Sequence, residues 1–436
     1  MQQQNEKKTN QSKIIDSAVF ALLLVAVSAV TLYLFHRQTL GNPESYHSDM
    51  KAYILEMQGL DSGYSFPYPV FFKIAAFLNW FTTPEFAVAL TTMLLNSLAM
   101  VITKLALNRM FADRTRYAGV LVSFTTVSLF FISMLYPPTG IYLPGIQFKY
   151  LGVFTANPFH NATYMAARPF AILAFLWFVK LLPVYEKGVR KADRQSASDE
   201  RSAGGCVMGR SLQGACGEAS IGDYLLFSLF LLLATMTKPS FTIVLVGTAG
   251  LIMLFRLFCS KFKNLVPTVQ LGLCFIPTFI DLLYQYSGVF VPDEGVEGGM
   301  GFCFGEVWGY YCGNIPLAIC LAIGFPLLVL VLNLREIRRN TGFRFAWQLY
   351  GMSFLMAFLL YEKGFRKPDF NFSWGYMYGI FFCHLGAVSV LLKDTLSGEK
   401  DKKKPLLLGM QWLAYLAHLI CGLLYFKTFL SGGMYY

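Results

Sequence analysis

Charge is scarce in this sequence. Asp, Glu, Lys and Arg make up 14% of its 436 residues, where soluble domains carry roughly 25%, which is too little to face water on all sides and excludes a disordered chain. Histidine is rare, at five residues, and the nine cysteines form no CxxC pair and no His/Cys cluster, so no zinc site is indicated. Only Cys303 and Cys312 share an expected outer loop, 289–313, where a disulfide is allowed beside the alternative of two free thiols. No repeat period emerges, which speaks against a solenoid and gives no support to the duplicated halves common in transporters. Acidic residues number 25 against 36 basic ones, for a formal charge of +11. Where that excess sits decides whether it means nucleic acid or membrane topology.

Apolar residues are abundant, at 55%. A hydrocarbon core of roughly 30 Å needs about 20 apolar helical residues, and eleven candidate spans lie near 15–35, 86–106, 117–135, 165–184, 223–236, 240–258, 265–288, 314–333, 345–361, 375–392 and 405–429. With the N-terminus cytoplasmic and the C-terminus outside, most of the lysines and arginines fall on inner loops, as the positive-inside rule requires. The net charge is then topological and implies no nucleic acid. The basic stretch Met1 to Lys13 before the first span reads as a retained signal anchor. These features predict an all-α polytopic membrane protein with a front transmembrane block at 1–184, a flexible cytoplasmic linker at 185–222 and a rear block at 223–436.

Three outer loops carry the candidate chemistry, because structured loops outside the membrane usually hold function. In the first, Ser48 is placed to cap a short amphipathic helix from Asp49 to Gln58 along the outer leaflet. Asp49 follows Tyr46, His47 and Ser48 and suits a base for a sugar hydroxyl, or else an ordinary helix N-terminal carboxylate. Glu44, Glu56 and Asp61 are its rivals. The second loop contains Asn157-Pro158-Phe159-His160-Asn161 and leads to Arg168-Pro169. Arg168 suits bidentate phosphate binding with His160 beside it. The third runs from Glu362 to Trp374 and holds Lys363, Arg366 and Lys367 against the positive-inside trend, for an anionic ligand or for pairing with Glu362 and Asp369. Lys238 interrupts an apolar run just before Pro239, where a cation is costly unless it snorkels or meets an anion such as a lipid headgroup. Asp281 and His384, inside spans, suit interhelical pairing.

A carboxylate, several cations and aromatic loops on one membrane face are the ingredients of phosphate-linked glycosyl transfer. The pattern resembles the GT-C superfamily of integral membrane glycosyltransferases, on Tyr46-His47-Ser48-Asp49, on Asn157 to Asn161 with Arg168-Pro169, and on Asn371-Phe372-Ser373-Trp374-Gly375-Tyr376. The last two stretches are similar to ones in bacterial multi-pass members. The resemblance implies a fold with outer-face juxtamembrane helices between the first two spans, a polyprenyl-phosphate-linked sugar as donor, a glycan or lipid acceptor, and inverting transfer with Asp49 as base. Lys238, Arg168, His160, Lys363 and Arg366 are the expected phosphate ligands. Tyr46, His47, Asn157, Asn161, Glu362, Asn371 and Trp374 are the expected substrate pocket. Many members carry two adjacent acidic residues where this chain has Asp49 alone, between Ser48 and Met50, so no metal ligand is assigned and a requirement for Mg or Mn stays open. The alternative is a transporter or flippase of lipid-linked glycans, which uses the same cations without chemistry.

Overall fold

The computed structural model describes residues 2–112, 115, 117–136, 155–198, 219–289, 299–397 and 405–433. The front half forms α1 (Gln2–Thr39), α2 (Met50–Met57), α3 (Pro69–Asn79), α4 (Pro84–Phe111), α5 (Ala118–Leu129) and α6 (Ala162–Ser198). Next come α7 (Ile221–Thr237), α8 (Ser240–Cys259), α9 (Leu265–Leu273), α10 (Ile276–Val289), strand β1 (Met300–Phe302), α11 (Glu306–Gly309), α12 (Ile315–Ala322) and α13 (Gly324–Leu332). The chain ends with α14 (Glu336–Arg339), α15 (Thr341–Leu359), strand β2 (Leu360–Glu362), a 3-10 turn (Gly364–Asp369), α16 (Ser373–Thr395) and α17 (Pro405–Leu430). The expectation of an all-α chain needs one small amendment. β1 and β2 pair antiparallel, with Met300 opposite Glu362, and this ladder fixes where Glu362 stands.

The protein is a helical, multi-pass membrane protein. Among the described residues six helices are long and apolar enough to cross a bilayer, or eight if each of two bent pairs counts as one span. The pairs are α9 with α10, bent by 54°, and α12 with α13, bent by 71°. Three of the eleven expected spans fall short of that measure for identifiable reasons. The apolar run 117–135 is helical only to Leu129, because residues beyond it leave the helix and bond elsewhere: Ser133 N–H donates to His418 O at 3.2 Å and Leu135 N–H to Leu321 O at 2.9 Å. Irregular backbone at such depth survives only when buried in protein, and a run of apolar residues does not distinguish it from helix. The other two are α7, which is short at 17 residues, and α15, whose 19 residues include Arg344 and Gln348 and so are not apolar enough.

Packing centres on α16, nearly all of whose residues are buried. α15 lies along it, and a Cβ on Gly379 would stand 1.9 Å from Ser353 Oγ, so only glycine admits this approach of the two helices. At the other face of the bundle an ion pair docks α1. Lys104 Nζ donates to Asp16 Oδ1 at 2.6 Å, Asn108 Oδ1 at 2.9 Å and Gly119 O at 2.8 Å, which uses all three ammonium hydrogens. Ser123 adds a bond to the same carboxylate at 2.7 Å. Such a group is tolerated in a membrane interior only when so fully partnered.

α6 continues as helix through Ser198, so the first part of the expected linker is helical, and residues 199–218 lie outside the described residues. Glu186 on α6 takes Arg256 from α8 at 2.6 Å and Arg344 from α15 at 2.7 Å. One hydrophobic core runs from Leu34 to Phe429, so the expected front and rear blocks share their interior. Cys303 and Cys312 are both buried, and no disulfide joins them. Asp281 bonds Gln285 on its own helix at 2.8 Å and, among the described residues, takes no lysine across helices. His384 Nδ1 likewise turns to its own helix, 2.9 Å from Ile380 O. The acidic residues Asp293, Glu294 and Glu297 lie outside the described residues.

Candidate functional site

Local sequence places the central cation. Ser220 and Asp223 form a capping box that starts α7, and Pro239 stops it, since the residue before a proline is driven to extended backbone. Lys238 obeys, at φ −167° and ψ 121°, and its side chain leaves the helix axis between α7 and α8. It is 7% exposed, so it does not snorkel to water. Its Nζ donates to Thr163 Oγ1 at 3.3 Å and lies over the Trp374 ring at 4.8 Å and the Tyr68 ring at 5.8 Å. Burial lowers its pKa to about 8, opposed by the charge of Asp49.

Asp49 stands at the N-terminus of α2, half-buried, without using its side chain as a cap. Ser48 Oγ instead accepts from Met50 N–H at 3.3 Å, so the helix begins one residue later than expected. Asp49 Oδ2 accepts from Asn161 Nδ2 at 2.7 Å and from Tyr53 Oη at 3.2 Å. Tyr53 Oη is also 3.2 Å from Thr163 Oγ1, the atom that Lys238 reaches. Asp49, Tyr53, Thr163 and Lys238 thus form one hydrogen-bonded chain joining α2, α6 and the α7–α8 break. Burial raises the Asp49 pKa, while Lys238, Asn161 and Tyr53 pull it back.

Beside this chain lies a cavity of about 440 Å³. It is lined by the polar side chains of Lys238, Glu362, Arg366, Asn371 and Trp374 and by apolar ones such as Ile243, Val244 and Leu282. Glu362 Oε2 is 2.8 Å from Asn371 Nδ2 and 3.2 Å from Arg366 Nε, and Trp374 Nε1 donates to Asn371 Oδ1 at 3.3 Å. Burial pushes the Glu362 carboxyl up, and Arg366 and Asn371 hold it down. Of the third loop's cations, Arg366 therefore pairs within the loop, also meeting Asp369 at 3.8 Å, while Lys367 pairs with Glu306 of α11 at 2.6 Å.

The remaining expected site residues lie elsewhere. Arg168 is fully buried in the core, donating to Ala156 O at 2.7 Å and to Asn96 Oδ1 at 3.4 Å with the Phe130, Tyr164 and Phe381 rings around it. It anchors the segment leading to Asn161 and does not line the cavity. His160 is packed between Trp374 and Phe429, and burial lowers its pKa to about 3, so it carries no charge for a phosphate near neutrality. Asn157 donates to Leu129 O and Ile132 O, at 3.2 and 2.8 Å, and does not line the cavity. Tyr46 donates to Leu430 O at 3.1 Å and takes Arg37 on its ring. Lys363 is exposed and outside the cavity lining. His47 is half-buried beside Asp49 and His160, with both of which it interacts electrostatically.

Four contributors escape a reading of the sequence: Tyr53, Tyr68, Thr163 and Gln285. Tyr53 is visible only as part of an apolar helix face, and a threonine or glutamine hydroxyl or amide has no charge to flag it. Among the described residues no group of three or more His, Cys, Asp or Glu gathers to hold a metal ion. No protein-family model, curated protein or solved structure matches this chain.

Proposed function

We propose that this protein is a membrane glycosyltransferase of GT-C type, moving a sugar from a polyprenyl-phosphate donor to a glycan or lipid acceptor at the outer face of the plasma membrane. One observation carries the reading: the chain from Asp49 through Tyr53 and Thr163 to Lys238, beside a cavity lined by both polar and apolar side chains. Eleven crossings, with the N-terminus inside, put α2 and α3 as juxtamembrane helices between the first two spans. The isoprenoid lies along Ile243, Val244 and Leu282, and its phosphate meets Lys238 and Arg366. As the acceptor O–H breaks, its oxygen forms the new bond to the anomeric carbon with inversion, and its proton goes to Asp49. The sugar–phosphate C–O bond breaks with the electron pair leaving on the phosphate, whose charge the two cations stabilise. Arg168, His160, Lys363 and Asn157 have no direct part in these steps.

The test is turnover by purified protein with a panel of polyprenyl-phosphate sugars, wild type against Asp49→Asn. Transfer by wild type and a loss of about a thousandfold in the variant is the expected result, an effect within the range of general-base removal. Binding without turnover in both proteins would replace this reading with transport of lipid-linked glycans.

A further inference from the structure

The cavity asks for hydrogen-bond donors from its ligand at two places. Glu362 Oε2 is occupied by Asn371 and Arg366, and the chain Trp374–Asn371–Glu362 fixes the carboxylate plane on the wall. Among the described residues no donor meets its second oxygen, which is left to accept. A carboxylate with an ion pair already made does not call for another cation, and it repels an anion. Gln285, also on the lining and 4% exposed, spends both amide hydrogens inside the protein, on Thr235 O at 3.1 Å and Asp281 Oδ2 at 2.8 Å. Since Thr235 O only accepts, the amide cannot flip, and among the described residues its Oε1 has no hydrogen-bond partner. A buried acceptor without a donor is costly and rare in native structures. Lys238, by contrast, brings positive charge with Trp374 beneath it.

We propose that Glu362 and Gln285 are the hydroxyl-reading residues of this cavity, which takes a polyhydroxylated ring bearing two or more free hydroxyls next to an anionic phosphate at Lys238. This rests on the cavity being the donor site proposed above, and it adds which residues recognise the sugar as opposed to the phosphate or the lipid. The ring lies against Trp374, whose indole N–H is already used by Asn371, so the indole contributes a face and no donor. A ligand ending in bare phosphate fills the charge requirement and leaves both acceptors unmet.

The experiment compares binding of farnesyl phosphate and farnesyl phosphoryl-glucose to the purified full-length protein, by calorimetry. Wild type is expected to favour the glucose-bearing probe by about tenfold or more, the worth of one hydrogen bond to a charged group. Gln285→Leu should remove most of that preference while farnesyl phosphate binds within about twofold of wild type, and Glu362→Ala should remove most of it while farnesyl phosphate binds at least as tightly as to wild type, since Arg366 then loses its paired acid. Lys238→Met should weaken both probes alike. Equal binding of the two probes by wild type overturns the proposal whatever the variants do, as does an undiminished preference in both variants. A preference without any sugar transfer supports the hydroxyl-reading assignment and defeats the transferase reading. Transfer by a wild type that shows no preference does the reverse, and binding of neither probe defeats both.

Discussion

Asn161 donates its side-chain N–H to Asp49 Oδ2 at 2.7 Å, across 112 positions of sequence. Asn161 Oδ1 in turn accepts from the Tyr164 N–H at 2.9 Å, so its amide orientation is set by the first turn of α6. The carboxylate is held by a residue that the helix start itself positions.

Replacing that donor by an acid tests the arrangement. Asn161→Asp sets a second carboxylate against Asp49, and a like charge raises the pKa of the pair. A base must be deprotonated to act, so the acidic limb of the pH–rate profile should move to higher pH, while Asn161→Ala should lower the rate with a smaller displacement. An unmoved acidic limb in Asn161→Asp would separate Asp49 from proton transfer.

Lys238 gives a pH prediction of opposite sense. With its pKa lowered to about 8, the side chain is cationic below that value and neutral above it. Affinity for an anionic phosphate should therefore hold through neutrality and fall above about pH 8, approaching tenfold per unit. Lys238→Arg stays charged and should flatten the dependence. A titration of farnesyl phosphate binding from pH 6 to 10 reads both, and identical slopes in the two proteins would remove Lys238 from the anion site.

Arg168 should behave as a structural residue. Its guanidinium bonds Ala156 O and Asn96 Oδ1 within a cage of three rings, a shape that lysine cannot reproduce. Arg168→Lys should cost about 2–3 kcal/mol of stability in detergent and leave the affinity for farnesyl phosphate unchanged in the folded fraction. A variant of wild-type stability with weakened phosphate binding would restore it to the ligand site.

The pair at the other face of the bundle gives a prediction about folding alone. Lys104→Met leaves Asp16 buried without its cation, at a cost of about 3–5 kcal/mol. Adding Asp16→Asn should recover most of that loss, since no charge then remains to be partnered. Thermal unfolding of the two single variants and the double one closes the cycle, and additive losses would show that the two residues do not interact.

Sequence made some of this legible and hid the rest. The break at Thr237-Lys238-Pro239 could be read because proline dictates the backbone before it, and Asp49 because a carboxylate soon after a span stands out. Arg168 stands out for the same reason, and the structure gives it acceptors of its own chain, Ala156 O and Asn96 Oδ1, where the sequence suggests a phosphate. An arginine beside an outer loop looks alike whether its acceptors are carbonyls of its own chain or a ligand's phosphate. The cations at 366 and 367 carried both readings, and the acids that pair with them, Glu362, Asp369 and Glu306, come partly from a distant segment. The apolar run after Leu129 concealed a buried irregular stretch, because hydropathy records burial and is blind to backbone conformation. The hydroxyls of Tyr53 and Thr163 were invisible for a further reason. Their role exists only through contacts between α2, α6 and the α7–α8 break.

The most direct test of Asp49 and Lys238 as parts of one site is a paired measurement of polyprenyl-phosphate-sugar binding and sugar transfer in Asp49→Asn and Lys238→Met. Asp49→Asn should bind the donor within a few fold of wild type and fail to transfer, whereas Lys238→Met should lose binding. Transfer at the wild-type rate by Asp49→Asn, or undiminished binding by Lys238→Met, would contradict their joint role.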